Sequence, residues 1–226
     1  MAAMFSPVPL EIPAAAELWV ALTLAALGLH LFVQHREWTI ATAVTKLAAS
    51  TGFLLTAINA GALELGWGRW LFVGLVLSWL GDAFLLGRAK PIFLAGLGAF
   101  LLGHVGYCVA FAVHGFDATA ALTAAPLLAL AGLLVDRWLR DRVDDDMRLP
   151  VRAYIVVISI MLTLAIGAWR AGASHLLLLG AVSFYLSDLS VARERFVQPE
   201  FLNRLWGLPA YYLGQLCLAL SVLGLR

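Results

Sequence analysis

The sequence predicts an all-α protein, a polytopic membrane helix bundle of about eight transmembrane helices, on three observations. Of 226 residues, 62% are hydrophobic and only 13% charged, where soluble domains have roughly 45–50% apolar and about 25% charged residues. The mean hydropathy is +0.91. Apolar stretches also recur along the whole chain at close to bilayer length, and a spanning helix needs about 20 such residues. Little is left over for an extramembrane domain, so residues 1–226 read as a single integral membrane domain.

The first stretch, 14–33, follows a segment without Lys or Arg. The basic start of a cleavable leader is missing there, so the stretch reads as a retained span. The second, 41–60, lies between the polar run 34–38 and the glycines Gly61 and Gly66. The third, 68–87, ends at the basic, proline-containing connection 88–91, and the fourth, 92–113, closes at His114 and Gly115. The fifth, 118–135, is short and contains Pro126. The mixed-sign run 136–148 after it reads as a solvated loop. The sixth, 151–169, stops at Arg170, the seventh runs over 174–192, and the polar run 193–204 precedes the eighth, 205–225.

Twelve of the 15 Lys and Arg residues fall on the connections between spans 1–2, 3–4, 5–6 and 7–8 or their flanks. By the positive-inside rule those connections face the cytosol and both termini face away from it. An internal similarity at a spacing of 106 residues relates Gly74-Leu-Val-Leu-Ser-Trp-Leu-Gly-Asp82 to Gly180-Ala-Val-Ser-Phe-Tyr-Leu-Ser-Asp188, and the same offset takes Lys46 to Arg152. The paired positions lie four spans apart. Two four-helix pseudo-repeats, about 14–113 and 118–225, would therefore share one orientation, related by an axis along the membrane normal.

Asp82 and Asp188 sit inside apolar spans, where an ionised side chain costs up to roughly 2.5–3.5 kcal/mol on insertion scales. Lys46 and Arg152 reach the same depth and are expected to neutralise them, either as two structural ion pairs or as parts of a site. On the fourth span His104 and Tyr107 share a face, beside a small-residue stripe, Gly96, Ala99, Gly103, Gly106 and Ala110, that reads as close helix packing. His104 alone fits a satisfied interior histidine as well as a functional one. Tyr211, Tyr212 and Gln215 lie in the cytosolic half of the last span, where interfacial anchoring would also explain a tyrosine. Two acids, two cations and several hydrogen-bonding groups then converge on one cavity. Two close carboxyls tend to hold one shared proton, which supplies an acid and a base, and the cations suit a phosphate or carboxylate.

Composition and motifs exclude other classes. The net charge of +1 leaves no basic face for nucleic acid. Cys108 and Cys217 sit in apolar runs without metal-ligand spacing, and no serine-hydrolase, phosphate-loop or HExxH motif occurs, so neither a metal nor another cofactor is called for. Partners are membrane lipids, a small solute or another membrane protein, and oligomeric state is not readable. Thirteen Arg against two Lys, with abundant Ala, suggests a GC-rich bacterial gene and hence an inner-membrane location.

Ser78-Trp-Leu-Gly-Asp82, Gly98-Ala-Phe-Leu-Leu-Gly-His104-Val-Gly-Tyr107, Arg148-Leu-Pro-Val-Arg152-Ala-Tyr154, Ser187-Asp188 and Tyr211-Tyr-Leu-Gly-Gln215 occur in this order. Together they resemble the YhhN membrane-protein family, whose characterised members are lysoplasmalogenases. The resemblance implies an eight-helix hydrolase that cleaves the vinyl ether bond of a lysoplasmalogen, a lysophospholipid, to a fatty aldehyde and a glycerophospho-choline or glycerophospho-ethanolamine, without a metal. It implies Asp82 and Asp188 as the catalytic pair, with Lys46, Arg152, His104, Tyr107, Tyr154, Tyr211, Tyr212 and Gln215 as substrate-binding candidates. Lys46-Leu47 departs from the family's usual Lys-Pro. The rival reading is a proton-coupled transporter or channel for a small solute or lipid, since parallel repeats with membrane carboxylates also describe such carriers.

Overall fold

A computed structural model describes residues 12–87 and 89–225. Eight α-helices follow one another: α1 Ala14–His35, α2 Thr39–Asn59, α3 Gly66–Phe84, α4 Lys90–His114, α5 Ala118–Leu139, α6 Asp145–Arg170, α7 His175–Ala192 and α8 Phe201–Leu220. Among the described residues there is no strand. Seven of the eight are long and apolar enough to cross a membrane. The other, α3, has 19 residues, and Arg69, Asp82 and three tryptophans dilute its apolar run. It packs against α2, α4 and α8, so it belongs to the bundle.

Each helix packs chiefly on its chain neighbour, which makes four hairpins: α1 with α2, α3 with α4, α5 with α6, and α7 with α8. Contacts of α2 with α3 and of α6 with α7 join hairpins, and α2 on α8 and α4 on α6 close the bundle. Helix α8 is central, with 72% of its most apolar window buried, whereas α5 is peripheral at 11% and turns its leucines outward.

Glycines bring the hairpins close. A Cβ on Gly74 of α3 would lie 2.9 Å from the Gly103 carbonyl oxygen of α4, and one on Gly180 of α7 would lie 2.9 Å from the Gly214 carbonyl oxygen of α8. The α4 stripe predicted to pack closely is buried throughout. Helix α5 continues unbroken past Pro126, with Asp117 capping its start by accepting from the Ala120 N–H at 3.0 Å. Gly115 and Gly172, at φ +100° and +102°, take the left-handed backbone that turns the chain after α4 and α6.

Several boundaries differ from the sequence reading. The run 136–148 is mostly helical: α5 continues to Leu139 and α6 begins at Asp145, leaving 140–144 as the turn. Hydropathy marks where apolar residues stop, not where backbone hydrogen bonding stops, and Asp145 and Asp146 favour a helix start through the helix dipole. A π-turn, Arg193–Val197, continues α7, and α8 starts before the predicted 205. The leaderless reading of 1–13 falls almost wholly outside the described residues, as do Arg88 and Arg226 of the charge count.

Candidate active site

Asp82 lies two residues before the end of α3 and is 2% exposed. Lys46 Nζ of α2 stands 3.2 Å from its Oδ1. Its Oδ2 accepts from the Ser50 hydroxyl at 2.7 Å and from the Tyr211 hydroxyl of α8 at 2.7 Å. Tyr212 closes the group, 3.1 Å from Ser50 Oγ and 3.2 Å from the Lys46 carbonyl oxygen. Three donors, an ammonium and two hydroxyls, thus meet this carboxyl, which has about four acceptor sites.

Asp188 on α7 is differently placed. Its Oδ2 accepts from the Tyr154 hydroxyl of α6 at 2.9 Å and lies 3.7 Å from His104 Nε2 of α4. No Lys or Arg pairs with it among the described residues. His104 is 1% exposed, and its Nδ1 lies 2.7 Å from the Phe100 carbonyl oxygen. A carbonyl only accepts, so Nδ1 carries a proton, and in the neutral ring Nε2 faces Asp188 as an acceptor.

Aromatic and amide groups separate and connect the two acids. Phe184, one turn before Asp188, packs its ring 4.5 Å from His104 and 5.3 Å from Tyr211. Tyr107 donates to Gln215 Oε1 at 2.8 Å, lies 3.3 Å from Ser78 Oγ, and sets its ring edge-on to His104 at 6.2 Å. His104 Nε2 and Gln215 Nε2 are buried without a hydrogen-bond partner, where buried polar groups ordinarily have one. Among the described residues, no three His, Cys, Asp or Glu side chains gather closely enough to hold a metal ion.

Lys46, Asp82, Tyr211 and Tyr212 thus come together, as do His104, Tyr154 and Asp188, with Tyr107 and Gln215 between them. Arg152 does not join them, which corrects the expected pairing with Asp188. Its Nε binds Asp136 Oδ1 of α5 at 2.8 Å, and its side chain is half exposed. The reason is the helical continuation of α5, which carries Asp136 alongside α6. Ser50, Ser78 and Phe184 were not anticipated, although each lies one turn from a residue that was: Lys46, Asp82 and Asp188 respectively.

Residues 41–222 match the YhhN family. Lysoplasmalogenase TMEM86A from Homo sapiens is 32% identical over 192 residues, 80% of this chain and 72% of that protein. Its counterpart in Bos taurus is 31% identical over the same shares. A lysoplasmalogenase from Mycobacterium tuberculosis (strain CDC 1551 / Oshkosh) is 36% identical over 143 residues, 57% of this chain and 51% of that protein. No solved structure matches the chain.

Proposed function

The chain belongs to the YhhN family, and from that premise we propose that it is a multi-pass membrane lysoplasmalogenase, which hydrolyses the vinyl ether of a lysoplasmalogen by aspartate acid–base chemistry. The observation that carries the mechanism is the unequal setting of two aspartates at one end of an apolar bundle. Asp82 has an ammonium and two hydroxyl donors, while Asp188 has a tyrosine hydroxyl and the acceptor side of a histidine.

Hydrolysis of a vinyl ether begins with a proton added to its β-carbon. The double-bond electrons form the new C–H bond, and an oxocarbenium ion results. Asp188 is the donor in this reading, because among the described residues no cation stands against its carboxyl, whereas the Lys46 ammonium stands 3.2 Å from Asp82. Asp82, as the anion, faces the developing cation and takes a proton from the water that captures it. The hemiacetal then collapses: its O–H proton leaves, the carbonyl forms, and the glycerol oxygen departs with a proton, giving fatty aldehyde and glycerophospho-alcohol. Tyr107, Tyr154, Tyr212 and Gln215 position these groups, and the apolar walls hold the alkenyl chain.

The arrangement of helices supports the duplicated architecture. Exchanging α1–α4 for α5–α8 maps α3 on α4 to α7 on α8, α2 on α3 to α6 on α7, and α2 on α8 to α6 on α4. Asp82 draws its partners from α2 and α8, and Asp188 from α6 and α4, the equivalent pair under that exchange. Each half would then supply one acid and the other half part of its setting.

The test is incubation of purified protein with a lysoplasmalogen and, separately, with its saturated ether analogue. Aldehyde is expected from the first only. Absence of aldehyde from the vinyl ether, in protein shown to be folded, would remove the proposal.

A further inference from the structure

A second feature lies at the same end of the bundle as Asp82. Where the end of α1 meets the start of α8, Gln34, His35, Glu37, Glu194, Phe201 and Arg204 line a cavity of about 330 Å³. Its polar groups are unequally occupied. Glu194 is saturated: it accepts from Arg204 at 2.6 Å, from Asn203 at 2.9 Å and from the Glu200 N–H at 2.9 Å. Arg204 spends Nε and Nη2 on Glu194, which leaves its other terminal nitrogen available. Among the described residues the exposed Glu37 carboxylate makes no ion pair, and Gln34 Oε1 is buried without a partner. The rings of His35 and Phe201 form one wall, 4.8 Å apart.

An unpaired carboxylate and an unpartnered amide oxygen beside aromatic faces suit an ammonium group. A free guanidinium nitrogen next to them suits a phosphate. We propose that this cavity receives the phospho-amine head group of the substrate, with Gln34 and Glu37 on the ammonium and Arg204 on the phosphate. The inference rests on the lysoplasmalogenase reading and adds to it the part of the molecule that selects a zwitterionic head group.

The distances agree. Arg204 and Tyr211, which holds Asp82, are seven residues apart on α8, about 10 Å at 1.5 Å per residue. An extended glycerophospho-amine has about that length from its vinyl ether to its nitrogen, and its phosphate, about midway, falls within the reach of a guanidinium that projects from the helix. His30, one turn deeper than Gln34 on α1, sets its Nδ1 3.1 Å from Thr45 Oγ1, the residue before Lys46 on α2, which ties the α1 wall of the cavity to the helix that pairs with Asp82.

The test uses saturated ether lysolipids, which bind without being cleaved. Affinities of purified protein are measured for a 1-alkyl glycerophosphoethanolamine and for its phosphoethanol counterpart, which lacks only the amine. A hydrogen bond to a charged group is worth about tenfold in affinity, so the amine-bearing lipid should bind about tenfold tighter to the wild type. Glu37→Gln and Gln34→Leu should each reduce that ratio several-fold. Equal affinities in the wild type, or a ratio unchanged in both variants, would overturn the proposal. Aldehyde release from lysoplasmalogen is followed separately: its absence with the binding ratio intact counts against the enzyme reading and leaves the cavity assignment standing.

Discussion

Asp82 and Asp188 stand 106 residues apart at matching places in two similar segments, yet one carries a lysine partner and the other a histidine. If they act as anion and acid, neither can be replaced by an amide. Asp82→Asn and Asp188→Asn should each lower aldehyde release by well over about tenfold, since positioned acid–base groups contribute about 10²–10⁴-fold. His104→Gln keeps a polar group but removes the imidazole from Asp188, and it should lower kcat by at least about tenfold with little change in KM. The measurement is aldehyde release at equal folded protein; wild-type turnover in any of the three removes that residue from the mechanism. Arg152 provides the contrast. Its pair with Asp136 is a surface pair, of the kind worth about 0–1 kcal/mol, so Arg152→Gln should change kcat/KM by less than about threefold. A large selective rise in KM would return it to the substrate.

At the scale of helices, close crossings are what set the side chains of the site in register. A Cβ on Gly214 would lie 3.0 Å from both the Gly180 carbonyl oxygen and the Phe184 nitrogen, which are backbone atoms and cannot rotate away. Gly214→Ala should therefore destabilise by about 1–3 kcal/mol, as overpacking does, and should disturb Phe184, the ring between the two acids. Gly28 of α1 has nothing within 4 Å of the same added carbon, so Gly28→Ala should be neutral or slightly stabilising, by up to about 1 kcal/mol through helix propensity. Thermal unfolding of the two variants in detergent decides it, and equal shifts would refute the role given to the crossing.

The helices themselves were legible because a bilayer demands long apolar runs, and all eight predicted stretches overlap observed helices. Their ends were less so, since charged residues such as Asp136 and Asp145 continue a helix beyond the apolar run. The Lys46 and Asp82 pair was legible from depth alone. Arg152 was misassigned because the 106-residue offset made it the counterpart of Lys46, while two residues later Tyr154 takes the place beside Asp188. Ser50 had a readable signal, one turn from Lys46 on the same face. The cavity at Gln34 and Arg204 had none, because it exists only once the end of α1 lies against the start of α8.

For the whole molecule the open variable is orientation, and it decides which side of the membrane supplies water and the lipid head group. Twelve of 15 cations fall on one set of connections or their flanks, an asymmetry large enough to survive the transfer of two residues to the other side. The same end of the bundle holds the end of α3 with Asp82, the start of α2 with Lys46, and the cavity between α1 and α8. If the rule holds, that end faces the cytosol. Asp145 begins α6 at this end and Thr119 lies in the first turn of α5 at the other, both exposed. Single cysteines at the two positions, with Cys108 and Cys217 replaced, should react differently with a membrane-impermeant thiol reagent in intact cells: Thr119→Cys labelled, Asp145→Cys protected until the membrane is opened. The reverse pattern would turn the bundle over and put head-group entry on the outer face. The aspartate chemistry depends on side chains within the bundle, so it would be unchanged, but the substrate pool available to it would then be that of the opposite leaflet.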